Sequence, residues 1–333
     1  MYLLLNNLPL NFNSVTIGII NKKEEKIRIM NLIKPKKLKK GDTIGLISIS
    51  GNIKEPQNIE RAKNFFESNG FNVIISENTY KKFRYHAGSD KERANTFNDF
   101  IKNKDIDAIV CTRGGYGVLR IIDKIDYKAV SENPKIICGY SDITVLLLML
   151  LKNSNLITFH GAMANGDFGK ENISPITEKS FFETLYGKNP LIFKTQNYPL
   201  YSGEAKGILW GGNLATITSM AGLDFIPDEK FVFFTEDIGE PDYKIDRMFT
   251  QLFNIKKFRD NVQGIVTGEF TESDRQQYTK EIIKEYAEKY KLPCSDGFYI
   301  SHGADKYTLP VGGNCIFNTD DKSVKIIDSP FAD

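Results

Sequence analysis

The sequence predicts a two-domain α/β protein whose N-terminal half is a parallel sheet with crossover helices. Three observations lead there. β-rich runs alternate with amphipathic helical windows from Asp42 to His160. The alternation fades between Asn165 and Ser202, where Gly166, Gly169, Pro175, Pro190 and Pro199 punctuate the chain, and a second alternation resumes at Lys206. Strands separated by helices pair in parallel, because each crossover returns the chain to the same edge of the sheet. A chain of 333 residues is also long enough for about two domains of ordinary size. The pattern divides it into an extension over 1–29, a first α/β domain over 30–165, a link over 166–202 and a second domain over 203–333.

The opening segment MYLLLNNLPLNFNSVTIGII is apolar but broken by asparagines and a proline, and no basic stretch precedes it, so it predicts neither a signal peptide nor a membrane span. TIGLISIS is the first strand. Glu55 to Ser68 predicts a helix with Ile59, Ala62, Phe65 and Phe66 on one face, closed by Asn69-Gly70 before the strand FNVII. Ser89 and Glu92 have the spacing of a capping box, opening a helix that turns Ala94, Phe97 and Ile101 inward. Asp107 to Thr112 and Lys135 to Gly139 are two further strands, each ending in a tight glycine-containing turn. Both turns therefore belong at the carboxyl edge of the sheet, where open α/β sheets bind ligands. In the second half KGILWGGN, KFVFFTED and VQGIVTG read as strands, with helices around Tyr243 to Phe253 and Ser273 to Tyr290.

Composition narrows the function. Lys+Arg 44 against Asp+Glu 42 leaves a net charge of +2, and apart from Lys34 to Lys40 the basic residues are scattered. A nucleic-acid partner needs a concentrated basic face, so none is expected. The four cysteines, Cys111, Cys138, Cys294 and Cys315, form no C-x-x-C pair, which suits a reducing compartment. Three histidines without H-x-x-x-H spacing give a zinc site little support, and no metal or cofactor is expected.

The chemistry concentrates in a few segments. Ile136 to Asp142 runs from strand to turn and then into the apolar helix ITVLLLMLL, the geometry of a nucleophile elbow presenting Ser141. The second glycine of G-x-S-x-G is replaced by Ile143, and a serine or aspartate N-cap explains the segment equally well. Arg113-Gly114-Gly115-Tyr116-Gly117 ends the preceding strand, and its freed backbone N–H groups can face a developing oxyanion. A serine needs a base, and His86, His160 and His302 are the imidazoles available. His86 lies in a loop before the capped helix and suits a structural role, whereas pattern alone leaves His160 and His302 close. Thr235-Glu236-Asp237 places two carboxylates at a strand end, one of which can orient an imidazole.

In this order, GDTIGLISIS, HAGSDKERA, CTRGGYGVLR, CGYSDIT, GILWGGNL, TEDIGEPDYKIDR and SHGADKYTLPVGGN resemble the LD-carboxypeptidase family of serine peptidases, which includes the microcin C immunity enzymes. The resemblance covers the chain from about Lys34 onward. It implies Ser141 as nucleophile, His302 as base and Glu236 as the group that orients it, with oxyanion amides from Gly115 and Asp142. Arg113, Gly114, Tyr140 and His160 are the candidate substrate contacts, Arg113 for a terminal carboxylate. The resemblance further implies a flavodoxin-like N-terminal domain, a swivelling β/α C-terminal domain, a homodimer, and a cytoplasmic role in murein recycling that removes the terminal D-alanine of a tetrapeptide. A microcin-type peptidase is the alternative within the family, and a non-catalytic anion-binding module is the alternative outside it.

Overall fold

Two sheets organise the residues described by this computed structural model, 31–332; the expected extension over 1–29 lies outside them. The first half runs β1 (Thr43–Ile47), α1 (Pro56–Ser68), β2 (Asn72–Ile75), α2 (Asp90–Lys102), β3 (Ala108–Cys111), α3 (Tyr127–Glu132), β4 (Ile136–Gly139), α4 (Thr144–Ser154) and β5 (Thr158–His160). These strands lie in the order β2-β1-β3-β4-β5, every pair parallel. All residues of β3 and β4 are buried, as central strands covered on both faces should be. Winding reverses direction between β1 and β3, which opens a crevice at their carboxyl ends. The Ser89 capping box forms as the spacing predicts, with Ser89 Oγ accepting from the Glu92 N–H and Glu92 Oε2 accepting from the Ser89 N–H.

The second half runs α5 (Pro175–Leu185), β6 (Leu191–Lys194), β7 (Glu204–Asn213), α6 (Leu214–Ser219), β8 (Phe231–Ile238), α7 (Asp242–Asn254), α8 (Lys256–Asn261), β9 (Val262–Thr271), α9 (Gln276–Tyr290), β10 (Cys294–Ser295), β11 (Leu309–Val311), β12 (Asn314–Asn318) and β13 (Ser323–Ile326). Its sheet has the order β10-β9-β8-β7-β12-β13-β6, parallel from β7 to β10 and antiparallel beyond. Both halves meet across α4, which is apolar on nearly every face because it is packed on every side. One core runs from Ile47 and Ile109 of the first sheet through α4 to Trp210 and Phe233 of the second.

Two features depart from the division expected. Residues 166–202 are no bare link: Phe168 and, on α5, Phe181 and Leu185 pack with Phe66 of the first domain, while β6 edges the second sheet. β11, expected within the second domain, instead pairs antiparallel with β5 and closes the first sheet. A short apolar run carries no signal for which sheet it joins. Because the loop before β11 must reach β5, the segment carrying His302 is drawn onto the first domain.

Candidate active site

Ser141 sits in the turn between β4 and α4 with φ +63°, a left-handed conformation that a side-chain-bearing residue adopts at a cost of about 1–3 kcal/mol. Gly139 makes the turn feasible despite Ile143, because a Cβ there would lie 2.9 Å from Ile143 Cγ2. Gly114 does the same from the neighbouring strand: a Cβ would meet the Ser141 Cβ at 2.7 Å and its Oγ at 2.8 Å. The Gly114 carbonyl accepts from the Gly51 N–H at 3.1 Å, which locks the loop after β1 onto the turn after β3. Among the described residues neither the Gly115 N–H nor the Asp142 N–H has an acceptor, so both are available beside Ser141. The Asp142 carboxylate accepts from Ser50 Oγ and from the Val118 N–H, and burial pushes its pKa up against those bonds. Arg113 donates from Nη1 to the Asn52 carbonyl at 2.6 Å, so it braces the same loop.

Glu236, fully buried near the end of β8, accepts from His302 Nδ1 at 2.7 Å. A carboxylate in this contact accepts, so the proton of the neutral imidazole lies on Nδ1, and in that form Nε2 keeps its lone pair. The His302 side chain is 14% exposed, and its ring meets that of Tyr140, the neighbour of Ser141, edge-on at 5.0 Å between centroids. Burial lowers the His302 pKa, but the bond and charge of Glu236 outweigh it and hold the imidazole above its ordinary value. Asp237 faces elsewhere. It accepts from Asn213 Nδ2 at 2.8 Å and from the N–H groups of Ala215 and Ile238, and burial followed by the charge of Glu236 raises it to about 6.

The other imidazoles are differently placed. His160 is buried between Tyr140 and Phe234, its Nδ1 has no partner among the described residues, and burial lowers its pKa to about 4. His86 bonds through Nδ1 to the Tyr116 carbonyl at 2.9 Å, as a structural histidine would. All four cysteines are free and buried, and burial pushes the Cys111 and Cys138 thiols up, away from the thiolate. Among the described residues no three His, Cys, Asp or Glu side chains converge as metal ligands would.

Sequence reasoning does not single out Asn213. Its Oδ1 caps α6 by accepting from the Thr216 N–H, and its Nδ2 reaches both Glu236 Oε1 at 3.3 Å and Asp237. The legible signal is an asparagine between a glycine pair and a helical run, at the same sheet edge as the two carboxylates.

Known proteins share this arrangement of domains. Residues 44–161 match the family model for the LD-carboxypeptidase N-terminal domain, and residues 206–317 that for the LD-carboxypeptidase C-terminal domain. The chain is 32% identical over 302 residues to a Bacillus subtilis protein named "Probable murein peptide carboxypeptidase", covering 88% of this chain and 94% of that protein. It is 31% identical over 323 residues to the microcin C7 self-immunity protein of Escherichia coli, covering 86% and 93%. A structure of the microcin C7 self-immunity protein MccF in its wild-type apo state superposes with a TM-score of 0.83 at 28% identity, over 90% of this chain and 100% of that one.

Proposed function

The chain belongs to the LD-carboxypeptidase family, and from that membership we propose that it is a serine carboxypeptidase releasing the terminal D-alanine of murein tetrapeptides. The observation that carries the reading is the 2.7 Å bond from His302 to the buried Glu236, with the His302 ring against Tyr140, the residue before a strained Ser141. In this mechanism Ser141 Oγ attacks the carbonyl before the terminal D-alanine while His302 Nε2 takes its proton. His302 returns that proton to the leaving amine, then activates the water that hydrolyses the acyl-enzyme. Glu236 stabilises the imidazolium, and the Gly115 and Asp142 N–H groups hold the oxyanion. Loss of one such donor typically raises the barrier by about 3 kcal/mol.

Mass spectrometry of murein tetrapeptide digests tests the reading. D-alanine release undiminished by EDTA is expected; loss to EDTA with recovery on adding zinc would reject the serine mechanism. The resemblance to the microcin C7 self-immunity protein makes an aminoacyl-nucleotide analogue the second substrate to assay, and faster cleavage of that compound would move the assignment within the family. A fluorophosphonate probe that leaves Ser141 unlabelled would favour the non-catalytic module. A homodimer and a role in murein recycling are parts of the same proposal, the first open to sedimentation. Among the described residues no helix is long and apolar enough to cross a membrane.

A further inference from the structure

The loop that delivers His302 also carries Lys306, and that lysine is buried with Asp167 as an ion pair. Their side chains are 4% and 3% exposed, with Nζ and Oδ1 2.8 Å apart. Asp167 belongs to the turn after β5, where its Oδ2 accepts from the Met163 N–H at 2.8 Å. Lys306 Nζ also donates to the carbonyl of Gly303, the residue after His302, and lies 5.0 Å over the ring of Tyr140. That same ring meets His302. One ammonium therefore touches the base loop, the turn after β5 and Tyr140, the residue before Ser141 whose ring meets His302. The backbone around it is stapled to α5: Lys306 N–H donates to Thr177 Oγ1, Thr177 Oγ1 donates to the Ala304 carbonyl, and Ser174 Oγ donates to Asp305.

A buried ion pair is a poor device for stability alone, because desolvation of two charges offsets most of their attraction and an apolar pair of similar volume often does as well. We propose that Lys306, anchored by Asp167, is a positioning residue for His302, seating its loop against the nucleophile turn and supplying a fixed positive charge that opposes protonation of the imidazole. This rests on the reading of His302 as the base. The titratable and charged groups around His302 are Glu236, bonded to it, the more distant Asp237 of β8, His160 of β5, Tyr140 after β4, Lys306 with Asp167, and Glu269 of β9, whose Oε2 lies 3.2 Å from where a Cβ on Gly303 would be. Burial and the Lys306 charge lower the His302 pKa, whereas Glu236 and Asp237 raise it. Lys306 thus opposes the rise that Glu236 and, at longer range, Asp237 cause.

The test uses Lys306→Met, Lys306→Arg and the double change Asp167→Asn/Lys306→Met in the full chain, with the His302 ring titrated by NMR beside the pH profile of kcat/KM. Lys306→Met is expected to raise the His302 pKa and carry the acid limb of kcat/KM to higher pH. It should lower kcat roughly 10- to 100-fold near neutrality, with KM changed little and part of the loss regained at alkaline pH. Lys306→Arg should keep the wild-type pH profile. Should Lys306→Met fail to fold, the double variant, which leaves no unpaired buried charge, is expected to fold and show the same rise. A His302 titration and an acid limb unmoved in folded variants would overturn the inference, as would a loss of activity that only follows the fraction folded. Full activity in His302→Ala would instead sink the base assignment while leaving the NMR shift to be judged separately.

Discussion

The turn carrying Ser141 and the loop carrying His302 meet through Tyr140 but are held by opposite means. The turn is held by backbone: Ser141 is forced to positive φ, Gly139 makes room for Ile143, and Gly114 comes so close that no side chain fits between it and the serine. The loop carrying His302 is held by side chains, through Glu236, Lys306, Thr177 and Ser174. The first region should therefore be broken by adding atoms and the second by removing functional groups.

The largest effect expected is that of Ser141→Ala, which should bring D-alanine release to near background and abolish fluorophosphonate labelling while circular dichroism stays native. Turnover near wild type in that variant would remove the serine from the chemistry. Next comes Glu236→Gln, expected to lower kcat by roughly 10²- to 10⁴-fold because the imidazole loses its orienting charge. Asp237→Asn should spare kcat and lower stability instead, by about 1 kcal/mol, since its bonds go to Asn213 and the start of α6. A reversal of those two results would give Asp237 the orienting role.

Gly114→Ala should cost about 100-fold in kcat, as its Cβ would occupy space within 2.7 Å of Ser141. Wild-type kinetics there would mean that the backbone-held region tolerates added atoms, and the contrast between the regions would fail.

The two buried imidazoles near the crevice sharpen the contrast through pH. His302 is raised above its ordinary value, so its contribution to stability is full below the unfolded pKa of about 6.5 and is lost as pH rises through the higher folded value. Activity runs the other way, rising with pH as the imidazole is freed to accept a proton. His160, lowered to about 4, contributes stability above about 6.5 that is lost as pH falls toward 4. Urea midpoints measured across this range should fall with acid in the wild type and fall less in His160→Gln. An unchanged slope in that variant would show that His160 is not the buried neutral group involved.

The smallest effect is expected from Arg113→Ala. With its guanidinium on the Asn52 carbonyl, its loss should change kcat and KM by only a few fold and alter amidated and free tetrapeptides alike. A selective loss on the free carboxylate would restore the substrate role suggested by its position beside the oxyanion turn.

Much of the first domain was legible because its signals are local. The period of its helices, the Ser89 capping box and the glycine turns at the ends of β3 and β4 all depend on residues close in sequence, and the pairing of those two strands puts the glycine-rich turn beside the elbow. The helix α4 announced its burial by being apolar throughout. The crossing of β11 into the first sheet was not legible, since Leu309 to Val311 would pair as readily with another edge, and neither was the structure carried by 166–202.

For the site, the sequence by itself determined the inventory: a serine after a strand in a glycine-poor elbow, a glycine-rich turn beside it, paired carboxylates at a strand end and a few histidines. Only the tertiary structure decided which of these meet. Pattern alone leaves His160 and His302 close, but β11 draws the His302 loop onto the first domain while β5 buries His160 with no partner for Nδ1 among the described residues. Glu236 and Asp237 are adjacent in sequence and both accept from Asn213 Nδ2, yet only Glu236 reaches His302 while Asp237 turns to the Ala215 and Ile238 N–H groups. Lys306 and Asp167 stand 139 positions apart, and what joins them is burial: a lone ammonium in that interior would be too costly to keep, so the fold that encloses one must bring the other.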